Sequence, residues 1–437
     1  MAVLPLLSAG LPVEIIAPNP LWILPFVLLL AVIALMPILA ERWWLHYYFL
    51  FPLPLGAAVV GYYLWGLDNL PRMALSGIEY MSFICLIGSL FVVAGGIHIT
   101  FKGEAVPKQN TLLLGLGAIL ANVFGTTGAS MLLIRPYIRM NKWRFSPYHI
   151  VFFIFVVSNG GGALTPIGDP PLFLGYLKGV PFFWVFTHLW LKWLLGVGAL
   201  LALFYFVDRH NFLKASVAAR AEAERHDVTR VEGLSNLFFL AVILGAVFIQ
   251  EPLFLREAIM LIAALGSYMT TPKTLHGRNA FTFHPIIEVA VLFAGIFATM
   301  VPALDWLDLN AAKIGLTAPG SFYWGCGILS AFLDNAPTYL NFLTAAMGTF
   351  HLNMENPSHM PIFLAEHGHF LEAISVAAVF FGAATYIGNG PNFMVKSIAE
   401  RSGLKVPSFL GYIFRFTLPY LLPILLLLWL AFFAFSG

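Results

Sequence analysis

Charge is what this chain most lacks. Only 10% of its 437 residues are Asp, Glu, Lys or Arg, against 60% hydrophobic and 15% aromatic. Soluble globular domains carry about 25% charged residues, so this chain cannot cover a water-facing surface of its size. A soluble enzyme, a nucleic-acid binder and a disordered protein are excluded, and lipid is the expected solvent. Cysteine is nearly absent. Cys85 and Cys326 both fall in apolar segments and imply neither a disulfide nor a zinc site. The net charge of +2 names no acidic partner, because in membrane proteins the placement of Lys and Arg matters more than their sum. What is abundant is Phe (41), Gly (38) and Pro (28), at a mean hydropathy of +0.85. Closely packed, frequently broken helices follow from that mixture, as in transporters.

A spanning helix needs about 20 mostly apolar residues. The runs Leu21–Ala40, Tyr47–Trp65, Glu79–Thr100, Phe182–Val207, Ser235–Gln250, Leu255–Thr270, Pro285–Leu304 and Ser408–Ala434 are read as spans. The stretch before Leu21 has no Lys or Arg, so it reads as an interfacial lead-in rather than a basic-headed secretory signal. Two further regions are apolar but interrupted. Thr111–Asn122 reaches only mid-membrane before Gly125-Thr126-Thr127-Gly128. The segment Ala318–Met347 repeats the plan around Asp334-Asn335-Ala336-Pro337-Thr338. Each predicts a re-entrant hairpin, at 111–140 and 318–347. With re-entrance, 15 of the 23 basic residues gather on one face, including Lys102, Arg139, Lys142, Arg144 and the 209–230 group. Arg72, Lys178, Arg256 and Lys313 gather on the other. The positive-inside rule then places both termini outside.

The sequence also repeats. Gly162-Ala163-Leu164-Thr165-Pro166-Ile167-Gly168-Asp169-Pro170-Pro171-Leu172-Phe173 matches the segment beginning Gly382-Ala383-Ala384-Thr385 at seven of twelve positions, with a constant offset of 220. Asp169 faces Asn389 in that register. The fold class expected is an all-α polytopic membrane protein made of two repeats, each with five spans, a re-entrant hairpin and a broken helix. The repeats are 1–207 and 235–437, the broken helices 149–180 and 372–400, and the linker 208–234. Five crossings is an odd number, so the second copy must be inverted relative to the first. Inverted repeats with sites at midplane breaks are a secondary-transporter plan.

Breaks free backbone groups that lipid cannot satisfy, which is tolerable only around a cavity. Carbonyl, Thr and Asn oxygens suit a hard cation, and half-helix N-termini suit an anion. The first half offers Asn122, Thr126, Thr127, Ser158, Asn159, Thr165, Gly168 and Asp169. The second offers Ser330, Asp334, Asn335, Thr338, Thr385, Gly388, Asn389 and Asn392. Asp169 and Asp334 stand out, because a carboxylate in mid-membrane is costly and signals function. With Asn159 and Asn335 they are the Na⁺ candidates, and the pair is expected to line one midplane cavity. Glu79, Glu288, Lys192 and Arg415 are expected to snorkel. Arg135 and Lys396 follow the breaks, where they could face an anion. His359, His367 and His369 are read as an external loop.

Ser158-Asn159-Gly160-Gly161-Gly162, Thr165-Pro166-Ile167-Gly168-Asp169-Pro170-Pro171 and Leu333-Asp334-Asn335-Ala336-Pro337-Thr338 carry a resemblance. Over nearly its whole length the chain resembles the ion transporter superfamily of divalent anion/sodium symporters, arsenite permeases, citrate permeases and NhaD-type sodium/proton antiporters. The resemblance implies an inverted-repeat fold, a homodimer, elevator-like motion, and cation binding at Asn159 and Asp169. Where the NhaD-type antiporters carry acidic residues at the first hairpin tip, this chain has Phe124-Gly125. Where they follow the Asp with hydroxyl residues, it has Pro170-Pro171. The carboxylate symporters' Ser-Asn-Thr tips are intact in neither copy. The expected activity is Na⁺/H⁺ antiport in a bacterial-type inner membrane. The alternative is cation-coupled transport of citrate-like carboxylates or an oxyanion, with a channel or an intramembrane enzyme disfavoured. No cofactor is expected beyond Na⁺ or H⁺ as coupling ions, and no nucleic acid as a partner.

Overall fold

In the computed structural model, residues 14–100, 105–214, 230–249, 251–310, 313 and 315–435 are described. Lys102, Arg220, Arg225, Gln250 and residues 215–229 of the expected linker lie outside them. The principal helices are α1 (Leu24–Leu39), α2 (Pro52–Gly61), α3 (Leu70–Gly95), α4 (Pro107–Met140), α5 (Pro147–Val156), α6 (Pro170–Leu177), α7 (Phe182–Lys214) and α8 (Asn236–Ala246). They continue with α9 (Leu255–Thr270), α10 (His284–Asn310), α11 (Pro319–Phe332), α12 (Asn335–Thr349), α13 (His359–Phe381), α14 (Gly390–Arg401) and α15 (Leu422–Phe432). Among the described residues the one sheet is a short ribbon pairing His98–Thr100 with Arg230–Glu232. Proline opens many of these helices: α4, α5, α6 and α11 each begin on one. There its missing N–H costs nothing and its fixed φ starts the first turn.

Nine helices among the described residues are long and apolar enough to cross a membrane. The chain is therefore an all-α, multi-pass membrane protein. Span boundaries differ from the sequence expectation in several places. α3 begins at Leu70, so Arg72 lies within it rather than in an outer loop. The expected span from Ser235 is the 11-residue α8, about 16 Å long at 1.5 Å per residue. α7 runs on to Lys214, which puts Asp208 inside a helix instead of in the linker, and Asp208 is fully buried. His359, His367 and His369 lie on α13, not in a loop, and His367 stacks on Phe350 with centroids 3.5 Å apart.

α4 is not one straight rod. Gly125 has φ 72° and ψ 158°, a conformation open to glycine and strained for residues with a Cβ. The chain reverses there. A straight helix would separate Asn110 from Asn141 by about 46 Å, yet their amides are hydrogen-bonded at 2.8 and 2.9 Å. The second reversal needs no glycine: α11 ends at Phe332, Leu333 and Asp334 turn the chain, and α12 returns alongside, with Phe322 edge-on to Phe342.

Helix contacts sort into two layers. In layer one, α10 packs on α1, α2 and α3, and α3 packs on α8 and α9. In layer two, α4 and α7 pack on the 3₁₀ turn Gly160–Leu164, α11 and α12 on α13, α6 on α12, and α14 on α4. The layers meet where α3 touches α4 and α6, and where α10 touches α12.

Candidate functional site

Both breaks are built the same way. Helix α5 stops at Val156, a 3₁₀ turn follows, and Thr165 to Asp169 run extended or bent until Pro170 opens α6. Helix α13 stops at Phe381, turns through Gly382–Ala384, and α14 opens at Gly390-Pro391. In each the backbone folds onto itself. A Cβ on Gly168 would lie 2.0 Å from the Gly162 carbonyl oxygen, and one on Gly388 2.6 Å from that of Gly382. The two glycine pairs at offset 220 thus serve one geometry.

Asparagine side chains satisfy the backbone these turns expose. Asn122 donates to the Ala118 and Gly161 carbonyls, and its oxygen accepts from Leu164 N–H. Asn392 donates to the Gly382 and Thr385 carbonyls. The Thr165 hydroxyl donates to the Asn122 carbonyl at 2.7 Å and that of Thr385 to Ala331 at 2.5 Å. Ser330 donates to Ala378, and Thr338 back-bonds to Asp334 within its own helix. These are structural tasks, and those of Asn122, Thr165 and Thr385 join a break to the reversing segment beside it.

At the centre lies Asp169, 1% exposed. Its Oδ1 accepts from the Thr126 hydroxyl at 2.7 Å and from Asn389 Nδ2 at 3.0 Å, and its Oδ2 accepts from Asn335 Nδ2 at 2.6 Å. Asn389 also donates to Asn159 Oδ1 and the Ser158 carbonyl, while Asn159 donates to Asn392 Oδ1. Both reversals and both breaks therefore contribute to a single cluster, where the sequence suggested two half-sites. Asp169 and Asn389, matched across the repeat, touch each other. Among the described residues Asp169 has no ion-pair partner, and Asn335 Oδ1 is buried without a hydrogen-bond partner. Thr127 lines a cleft of about 30 Å³ beside Asp169, walled on the other side by Leu86, Ile87, Leu90 and Phe91 of α3.

Asp334 does not join the cluster. It is half-buried and caps α12, its Oδ1 accepting from Ala336 N–H at 3.0 Å. Asp169 is hydrogen-bonded to Asn389, and Asp334 stands one residue from the donor Asn335. Arg135 and Lys396 also stay outside it, Lys396 pairing with Glu400 at 2.9 Å.

Two charged clusters were not singled out from the sequence. At one end of layer two, Asp208 accepts from Arg144, from Tyr148 at 2.6 Å and from Asn110 at 3.0 Å, tying α7 to the start of α4, the turn beyond its end and α5. At the other end, Arg72 pairs with Asp305 at 2.8 Å and Glu355 at 3.1 Å, and Lys178 with Glu79 and Glu355 at 2.7 Å each. Glu79 is therefore buried in an ion pair and does not snorkel. Nor does Lys192, which pairs with Glu372 at 2.7 Å. Burial alone would raise the Glu355 carboxyl, but Arg72 and Lys178 outweigh it and hold it below the usual carboxylate range. The available signal was complementary charge at span ends, which names candidates without pairing them.

A family model described as "Putative citrate transport" matches residues 17–433. Two curated relatives from Mycobacterium tuberculosis, strains CDC 1551 / Oshkosh and ATCC 25618 / H37Rv, are each called an uncharacterized transporter. Each is 25% identical over 382 residues, covering 80% of this chain and 85% of the relative.

Proposed function

Because the chain belongs to the putative citrate transport family, we propose that it is a secondary active transporter whose coupling cation binds at Asp169. One observation carries this reading: a fully buried carboxylate with three neutral hydrogen-bond donors and, among the described residues, no cationic partner. An ionised carboxylate isolated in low dielectric is costly. A proton or a bound Na⁺ relieves that cost, and one carboxylate accommodates one or the other. Such competition couples the two gradients, so the activity proposed is Na⁺/H⁺ antiport. The buried, unpartnered Asn335 Oδ1 next to the carboxylate supports a cation with oxygen ligands. Asn159 Oδ1 and Thr126 Oγ1 complete a neutral set around it.

The same reading takes the reversals at Gly125 and Asp334 as re-entrant hairpins. It takes the two halves as inverted repeats, the termini as external, and the assembly as a homodimer in the inner membrane. The family description favours a second reading, in which the Asp169 cation drives uptake of a citrate-like carboxylate. Purified protein in proteoliposomes separates the two. An Na⁺ gradient that moves the internal pH without any organic anion supports antiport. Labelled citrate uptake that requires Na⁺ or H⁺ supports the second reading. A protein that gives neither response overturns cation coupling at Asp169.

A further inference from the structure

We propose that Arg72, Glu79, Lys178 and Glu355 form a releasable ionic latch that holds the site-bearing layer against layer one. The Asp169 cluster lies wholly within layer two, but its cleft is walled by α3 of layer one. Opening that cleft requires the two faces to part. Arg72 and Glu79 stand on α3 and Asp305 on α10, all in layer one. Lys178 ends α6 and Glu355 lies between α12 and α13, so both travel with layer two. Two contacts cross the boundary: Arg72 Nη2 to Glu355 Oε1 at 3.1 Å and Lys178 Nζ to Glu79 Oε1 at 2.7 Å.

Two more contacts stay within a layer: Arg72 to Asp305 at 2.8 Å, and Lys178 to Glu355 at 2.7 and 2.8 Å. This duplication is what makes the contact releasable. Removing the partner of a buried charge is ordinarily very costly. Here each cation keeps a carboxylate of its own layer when the layers separate, so neither is stranded. The Tyr63 hydroxyl, donating to Asp305 at 2.7 Å, steadies the layer-one pair throughout. Glu79 alone loses its partner, and parting of the layers opens its face of α3 to water.

The opposite end is built differently. Asp208 lies 26 residues beyond Phe182, about 39 Å further along α7. Its partners Arg144, Tyr148 and Asn110 all belong to layer two. Among the described residues, ion pairs between the layers occur only at the Lys178 end. The Tyr176 hydroxyl, donating to the Val247 carbonyl at 2.7 Å, adds a hydrogen bond between the layers beside Lys178.

The test uses full-length protein with Cys85→Ala and Cys326→Ala. Glu79→Cys with Lys178→Cys is bridged by a short bifunctional thiol reagent, and Na⁺-driven pH change is read in proteoliposomes. Bridging is expected to lower the rate at least tenfold, reversibly with reductant. Bridging Lys178→Cys to Glu355→Cys, within one layer, is expected to leave its rate within twofold. Unchanged transport after bridging 79 to 178 means those groups never separate, and overturns the latch. A second measurement needs no transported ion and so stands even if the antiport reading fails. Glu79→Gln is expected to speed labelling of Ile87→Cys, at the cleft, by an impermeant maleimide at least threefold from the Lys178 end. An unchanged labelling rate overturns the latch as well.

Discussion

The two breaks share a backbone and differ in one charge. Gly162 and Gly168 pack against each other as Gly382 and Gly388 do, and an asparagine closes each turn. Yet the residue ending the first break is Asp169, and its counterpart is Asn389. Repetition supplied the geometry, and a single divergence from it supplied the chemistry. Touching across the repeat, the pair is one carboxylate and one amide, so the centre holds a single ionisable group instead of two.

Breaking that difference outright is expected to have the largest effect. Asp169→Asn makes the two positions identical, keeps the shape and removes the one carboxylate of the cluster. Cation-coupled transport should fall by about a hundredfold or more, with the thermal unfolding midpoint nearly unchanged. Retained activity in proteoliposomes would make Asp169 structural.

Next come the shared glycines. Alanine at either inner glycine must push on backbone oxygen, and overpacking of this kind costs about 1–3 kcal/mol or more. Gly168→Ala, with 2.0 Å available, should destabilise more than Gly388→Ala, with 2.6 Å. Thermal melting of both variants in detergent ranks them, and the reverse order would contradict the tighter closure of the first break.

Asn389→Asp restores the symmetry in the opposite sense. Two carboxylates at hydrogen-bonding distance cannot both stay ionised without a cation between them. The half-saturating Na⁺ concentration should drop about tenfold, read from the Na⁺ dependence of exchange. The smallest effect is expected for Asp334→Asn. Asparagine caps a helix about as well as aspartate does, and Asp334 makes no hydrogen bond to the cluster. Transport and stability should stay within about twofold and about 0.5 kcal/mol of the parent. A loss matching that of Asp169→Asn would show Asp334 to be a second ion-binding group.

Legibility in the sequence followed the range of the forces involved. Apolar runs announce helices that lipid will solvate, and the family-level reading as a membrane transporter rested on them and on the Thr165–Pro171 string. Asp169 was visible as a carboxylate between helix-breaking residues. Its distinction from Asp334 was not, because both sit beside a break in sequence and only the fold turns one inward and makes the other a cap. Span ends were misplaced at Arg72 and Asp208 for a related reason. A charge at the edge of an apolar run reads as a boundary unless its partner is known.

The sequence by itself determined the solvent, the helical class, the positions of the breaks and the doubling of the Gly-x₅-Gly turn. Hydropathy, proline and glycine act locally and need no partner. Only the tertiary structure decided that four interruptions meet at one carboxylate. Only there could Lys178 find Glu79 and Glu355, and Arg144 find Asp208. In a low-dielectric interior each buried charge is stable only beside the group that compensates it. Those groups lie from 64 to 177 residues away along the chain, where no local pattern can point to them.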